Sequence, residues 1–210
     1  MSAYRIAVFA SGEGSNFQAL AEAAQTGALG GAEMALLVCD KPSAPVVQRA
    51  ERLGVPAYVF TPKAYDSREA YEREIVQRLE ELQVDLIVLA GYMRLLTPVI
   101  VDQYRGKLIN IHPSLLPAFP GRDAIGQALS YGVKLSGVTV HFVDEGMDTG
   151  PIIAQRAIDV VEGETAESFA KAVHGVERML YPEVVSWFAR GLVKLDGRQV
   201  TVTSPNELKS

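Results

Sequence analysis

Cysteine is almost missing from this chain. Cys39 is the only one in 210 residues, so neither an intrachain disulfide nor a cysteine-rich zinc site can be built. It ends the apolar run Met34–Cys39 and reads as a small buried side chain. Long apolar runs are missing too. None approaches the ~18 unbroken residues of a membrane span, so no membrane partner is expected. The run Ile6–Ala10 is short, has only Arg5 before it and is broken by Ser11-Gly12. It reads as a first strand and not as a secretion signal, and a cytoplasmic location is the expectation. Runs of basic residues are absent and the formal net charge is -5, so nucleic acid is not an expected partner. A phosphate-bearing ligand would have to be held locally, by backbone amides or a few cations. No EF-hand spacing occurs, and no metal is expected.

What the sequence does have is an ordinary share of charge and apolar residues making up 48% of the chain. That is enough for a sizeable core and argues against disorder. Short apolar runs alternate with amphipathic ones. Strands are predicted over Tyr4–Ala10, Glu33–Cys39, Ala57–Phe60, Leu86–Ala90 and Leu108–His112. Helices are predicted over Ser15–Thr26, capped by Ser15 or Asn16, over Pro45–Leu53, closed by Gly54, and over Ser67–Leu82. In the last, Tyr71, Ile75, Leu79 and Leu82 fall at helical spacing, and Asp66 with Glu69 resembles a capping box. Leu86–Ala90 is apolar on both faces, as expected of a strand covered by helices on each side. The later part predicts a helix near Ala124–Tyr131, strands over Gly137–Val143 and Ile152–Val160, and a long helix from Ala166 that Pro182 should kink or divide. Val193–Leu195 and Val200–Val202 should form a hairpin turning at Asp196-Gly197. The expectation is an α/β fold with a doubly wound, mostly parallel sheet and a Rossmann-type N-terminal half.

In such a sheet, ligands bind outside the carboxyl ends of the strands. Three unusual segments follow strands directly: Ser11–Asn16 (SGEGSN), Gly91–Arg94 (GYMR) and Asn110–Pro113 (NIHP). The first joins a strand to a helix through two glycines, which suits close approach of the backbone to an anion at a helix N-terminus. A plain tight turn is the alternative. A dinucleotide fingerprint fits poorly, since Phe17 occupies the third glycine position, although Asp40 could stand for the ribose-binding acid. In the third segment, strand alternation puts Asn110 and His112 on one face. An amide can donate to a developing oxyanion and an imidazole can move protons; a histidine satisfied within the core is the competing reading. The glycine-bounded loop Asp144–Pro151 (DEGMDTGP) holds three carboxylates, one of which could pair with His112 and favour its protonated form; it could equally be a solvated acidic turn. His141 alternates within Val138–Val143, leaving a structural and a functional role open. Glu177 flanks an apolar helical face, where periodicity alone favours a solvated carboxylate.

The segment Asn110–Pro117 (NIHPSLLP) resembles the signature of the folate-dependent formyltransferase family, and Asp144–Pro151 is similar to that family's second motif. Ser11–Asn16 resembles the corresponding loop of its glycinamide ribonucleotide branch, and the likeness runs nearly end to end. The resemblance implies transfer of the formyl group of 10-formyltetrahydrofolate, a co-substrate, to the amine of glycinamide ribonucleotide in purine synthesis. It implies a catalytic trio of Asn110, His112 and Asp148. Gly14, Ser15 and Asn16 would hold the ribonucleotide phosphate and Glu177 would contact the glycinamide substrate. Met93, Arg94, Leu95 and Leu96 would line the folate pocket, partly through backbone bonds to the pterin, with Arg68 near the benzoylglutamate end and Asn110 also binding the folate. After Pro120-Gly121, where relatives often carry histidine, this chain has Arg122-Asp123-Ala124-Ile125, so no role is assigned there. Relatives acting on tRNA carry a further C-terminal domain, and deformylases an N-terminal one. Here one formyltransferase domain over residues 1–210 is expected, with a mononucleotide-binding-like half (1–100) and a folate and catalytic half (101–210), acting as a monomer or weak homodimer. Two other readings remain at this point: a nicotinamide-dependent oxidoreductase built on Gly12, Gly14 and Asp40, and a binding protein without turnover.

Overall fold

The computed structural model describes residues 3–203. Fifteen strands and α-helices follow one another: β1 (Tyr4–Ala10), α1 (Ser15–Gln25), β2 (Ala32–Cys39), α2 (Pro45–Arg52), β3 (Ala57–Val59), α3 (Arg68–Glu81), β4 (Leu86–Leu89), α4 (Pro98–Gln103), β5 (Leu108–His112), α5 (Ala124–Tyr131), β6 (Leu135–Phe142), β7 (Ile152–Asp159), α6 (Ala166–Ala189), β8 (Val193–Asp196) and β9 (Gln199–Val202). Seven strands form one sheet in the order β3-β2-β1-β4-β5-β6-β7. The first five in that order run parallel, and β6 and β7 are added antiparallel. The chain winds outward from β1 in one direction and returns through β4 to wind in the other. The loops after β1 and β4 therefore border the crevice where strand order reverses, the usual place for a ligand in an open α/β sheet.

Strand alternation divides the core. Ile6, Val8 and Ala10 face a layer that includes Phe17, Val46, Phe169 and Val184. Ala7 and Phe9 face the other layer, with Tyr71, Ile75 and Ile100. Both faces of β1 are thus dry, which is why it reads as an unbroken apolar run. Tyr181 of α6 is fully buried, and its hydroxyl donates to Leu89 O at 2.7 Å and Ile109 O at 3.2 Å. That anchor ties the long helix to the two central strands that carry the site.

Several local expectations change. Pro182 does not divide α6, which runs from Ala166 to Ala189. Burial of Phe169 and Val173 before the proline, and of Val184 and Val185 after it, holds both halves on the sheet. Ser67, not Asp66, caps α3, its Oγ accepting from Ala70 N at 3.1 Å. Gly14 caps α1 in place of Ser15 or Asn16. α4 was not expected; six residues are too few to show a period, although Thr97 before Pro98 is a start signal.

Candidate active site

Because β1, β4 and β5 are parallel neighbours, their following segments meet on one sheet edge. In the first, Gly14 adopts φ +76°, and a Cβ there would lie 2.5 Å from Val46 Cγ2. Glycine is required both by the backbone and by the approach of α2. Arg49 of that helix donates from Nε to Glu13 O at 2.6 Å and also bonds the Gln18 side chain. The loop is therefore fixed against α2, at the N-terminus of α1. Ser15 and Asn16 follow as the first residues of that helix. Asn16 Nδ2 donates to Glu177 Oε2 of α6 at 3.1 Å, and Asn16 Oδ1 is buried without a partner. Burial pushes the Glu177 carboxyl above the usual range, while the Asn16 bond pulls it down. Glu177 is thus a buried group facing the first loop, and not the solvated acid that its helical position suggested.

The segment after β4 borders a cavity of about 450 Å³. Arg68, Arg94, Leu95, Leu96, Asn110 and Asp148 all line it. Met93 does not; the residue is 64% exposed, and its backbone N–H is turned inward to Ser11 Oγ at 3.0 Å. At the far end, fully buried Glu72 accepts from Thr97 N at 2.9 Å and from Thr97 Oγ1 at 2.5 Å. Burial raises the Glu72 carboxyl and these bonds oppose the rise.

The chemistry-bearing groups stand on β5 and on the loop after β6. Antiparallel register pairs Asn110 with His141 and His112 with Thr139. Asn110 Nδ2 lies 3.3 Å from His141 Nε2, and His141 Nδ1 lies 2.7 Å from Phe142 O. Since a carbonyl only accepts, Nδ1 carries the proton. Nε2 faces both the Asn110 amide and, at 3.6 Å, the Asp148 carboxylate. His112 Nε2 lies 2.8 Å from Phe119 O, and Nδ1 is 3.4 Å from Asp148 Oδ2. Both ring nitrogens face acceptors, so the doubly protonated ring satisfies both. His112 is buried and does not line the cavity, whereas Asn110 and Asp148 do.

The three loop carboxylates separate by role. Asp144 folds the loop, accepting from Gly146 N at 3.0 Å and Thr149 Oγ1 at 2.6 Å. Glu145 is exposed and pairs with Arg105 at 3.3 Å. Asp148 alone reaches the two histidines. It accepts from Gly121 N at 2.7 Å, and its other oxygen lies 3.6 Å from His141 Nε2. Burial acts to raise the Asp148 carboxyl, but His141, the Gly121 N–H and His112 together hold it below the usual carboxylate range. Gly150 closes the loop where no side chain fits, since a Cβ would sit 1.7 Å from Phe142 O.

Two supports were invisible in the sequence. Thr139 Oγ1 donates to Ser114 O and accepts from Leu116 N, holding the loop that leaves His112. Asp40 is occupied by Ser11 and Arg94, at 2.5 and 2.8 Å, and is not free to hold a ribose. The dinucleotide reading thereby loses its acid, and Phe17, which already departed from the fingerprint, is fully buried at the third glycine position. Among the described residues no cluster of His, Cys, Asp and Glu could hold a metal ion, and no helix is long and apolar enough to cross a membrane.

Comparison with known proteins agrees with this geometry. The formyl transferase family matches residues 4–185. The chain is 52% identical over 181 residues to phosphoribosylglycinamide formyltransferase of Bacillus subtilis, covering 86% of this chain and 92% of that one. It is 40% identical to the Escherichia coli protein of the same name, covering 90% and 89%. Glycinamide ribonucleotide transformylase 1 of Symbiobacterium toebii superposes with a TM-score of 0.93 at 42% identity, covering 96% and 95%. That of Geobacillus kaustophilus gives 0.87 at 56%, covering 90% and 100%. A match across most of the chain, on a sheet that gathers an amide, two imidazoles and a buried carboxylate at one edge, makes this chain a member of the formyl transferase family.

Proposed function

We propose that the protein transfers the formyl group of 10-formyltetrahydrofolate to the amine of 5-phosphoribosylglycinamide, as a phosphoribosylglycinamide formyltransferase of purine synthesis. The observation that carries this reading is the placement of Asn110 and Asp148 in the wall of a cavity of about 450 Å³ bordered by Arg94, Leu95 and Leu96, with a glycine-capped helix N-terminus on the same sheet edge. The cavity suits a drug-sized, partly apolar ligand such as a reduced folate. Its polar entrance at Arg68 suits an acidic tail. The loop of Gly14, Ser15 and Asn16 offers backbone N–H groups to a phosphate. The unpartnered Asn16 Oδ1 and the buried Glu177 offer acceptors to the hydroxyl and amine donors of a glycinamide ribonucleotide.

In the reaction, the glycinamide nitrogen attacks the formyl carbon and the carbonyl electrons move to oxygen. Asn110, beside His141, donates to that oxyanion. His112, held as imidazolium by Asp148, is the second donor, once the Phe119 carbonyl yields Nε2. As the tetrahedral carbon collapses, its bond to the folate nitrogen breaks. The attacking amine loses a proton and the leaving nitrogen gains one, carried by His112 and Asp148 with water between them. The hydrogen-bond donors polarise the carbonyl, and no metal ion takes part in this scheme. The two halves, 1–100 and 101–210, act as one domain, since Glu177 of the second reaches the phosphate loop of the first. We read the enzyme as cytoplasmic, a monomer or weak homodimer. The test is tetrahydrofolate release from 10-formyltetrahydrofolate, followed by absorbance. Release that requires glycinamide ribonucleotide is expected; release at the same rate without it would refute the reading.

A further inference from the structure

Asp40 has no part in the chemistry above, yet it is a carboxylate only 3% exposed at the end of β2. Its partners all come from the two substrate loops. Ser11 Oγ donates to Asp40 Oδ1 at 2.5 Å, and Arg94 Nε donates to Asp40 Oδ2 at 2.8 Å. The same Ser11 Oγ accepts from Met93 N at 3.0 Å, and Ser11 N donates to Gly91 O at 3.2 Å. Ser11 opens the segment that runs to Gly14, Ser15 and Asn16. Gly91, Met93 and Arg94 open the segment that continues to Leu95 and Leu96. Four hydrogen bonds therefore join the two segments across the point where strand order reverses.

This bridge spans an otherwise weakly held stretch. Residues 92–97 form no helix or strand, and Met93 and Leu95 are 64% and 60% exposed. What restrains the stretch is Ser11 on the Met93 backbone and Asp40 on the Arg94 side chain at one end, and Glu72 on the Thr97 backbone at the other. The bonds to Asp40 involve a charged acceptor shielded from water, the stronger kind of hydrogen bond.

We propose that Asp40 and Ser11 are positioning residues that couple the two substrate sites, so that filling the ribonucleotide site orders the folate loop and the reverse. The proposal rests on the assignment of the two loops given above. When phosphate adds to the restraints on the first loop, Ser11 and Asp40 are held more tightly with it, and less of the 91–96 stretch remains to be ordered when folate arrives. Thermodynamic linkage makes the effect reciprocal: each ligand must tighten the other by the same factor. A bridge of this kind should give about tenfold, within the range of about 5- to 150-fold common for coupled sites.

The experiment is calorimetric titration with tetrahydrofolate and glycinamide ribonucleotide, a pair that lacks the formyl group and does not react. In the wild type each ligand should lower the other's Kd about tenfold. In Ser11→Ala and Asp40→Ala the factor should fall to about one, with folate alone binding more weakly and ribonucleotide alone little changed. Asp40→Asn keeps an acceptor for Arg94 and an N–H that Ser11 Oγ can accept. It should restore part of the coupling, and it serves as the decisive variant if either alanine substitution unfolds the protein. A merely structural carboxylate would lower the melting temperature of all variants and leave the coupling factor alone. Two ligands that bind the wild type independently would overturn the proposal and leave the formyltransferase reading intact. So would full coupling in Asp40→Asn together with full coupling in a folded alanine variant. Failure of the wild type to bind either ligand would instead refute the assignment of the loops on which the proposal stands.

Discussion

Replacing Asp148 by asparagine isolates the charge that the account places behind His112. The residue adopts φ +56°, a conformation that asparagine tolerates and alanine does not. An amide can still accept from Gly121 N, so the loop should keep its shape. What is lost is the attraction between the carboxylate and an imidazolium nitrogen 3.4 Å away. Coulomb's law gives about 5 kcal/mol for that separation at an effective dielectric of about 20, and about 1 kcal/mol in water. Asp148 is 13% exposed, so its site lies between these limits. The oxyanion then faces a weaker second donor, and losing such a donor costs roughly 100- to 1,000-fold in kcat. Both ligands should still bind, because the oxyanion exists only after attack. Steady-state kinetics should thus show kcat collapsing while KM for each substrate stays near its wild-type value. The pH dependence of stability supplies an independent check. The Asp148 carboxyl is depressed in the folded protein. Its contribution to stability is present above the ordinary carboxylate range and is lost as pH falls through its lowered folded value. The stability gap between wild type and D148N should therefore narrow below about pH 4. A folded D148N with near wild-type kcat would remove Asp148 from the mechanism.

Asn110→Ala should cost about 100- to 1,000-fold in kcat by removing one oxyanion donor. Thermal melting should show only about 1 kcal/mol of destabilisation; a fall in stability large enough to explain the lost activity would count against a catalytic role. Gly14→Val places a side chain against Val46 at a positive φ, so calorimetry on the binary complexes should show ribonucleotide binding weakened far more than folate binding, and equal losses would mean that the phosphate loop is misplaced. Glu72→Ala leaves Thr97 N–H and its hydroxyl without their buried acceptor, predicting about 1–3 kcal/mol of destabilisation by urea titration. It should also raise KM for the folate with little change for the ribonucleotide, and an unchanged folate KM would show that Thr97 does not anchor that loop.

The sheet was legible because its strands are short and apolar on both faces, and because helices with clear periods separate them. Asn110 and His112 could be paired from strand alternation alone. The partner of His112 could not be chosen from the loop sequence, which offers Asp144, Glu145 and Asp148 without a geometric distinction. Folding makes the choice: Asp144 is used up in closing the loop and Glu145 remains in water. His141 was ambiguous because its role depends on antiparallel register. One residue of slip would turn it to the opposite face. Glu177 read as solvated because the helical period reports which face is apolar and says nothing of Asn16, 161 residues away in sequence. Asp40 misled for a related reason. An acid at the end of the second strand fits a ribose site, and only the fold shows that Ser11 and Arg94 already occupy it.

In the proposed reaction the formyl group travels from the folate to the ribonucleotide amine. This transfer is tested most directly by supplying 10-formyltetrahydrofolate labelled with carbon-13 at the formyl carbon, together with glycinamide ribonucleotide, and identifying the labelled product by NMR and mass spectrometry. The label should appear in an amide formyl group on the glycinamide nitrogen, in equal amount to the tetrahydrofolate formed. Label recovered only as free formate, or left on the folate while ribonucleotide is unchanged, would contradict it.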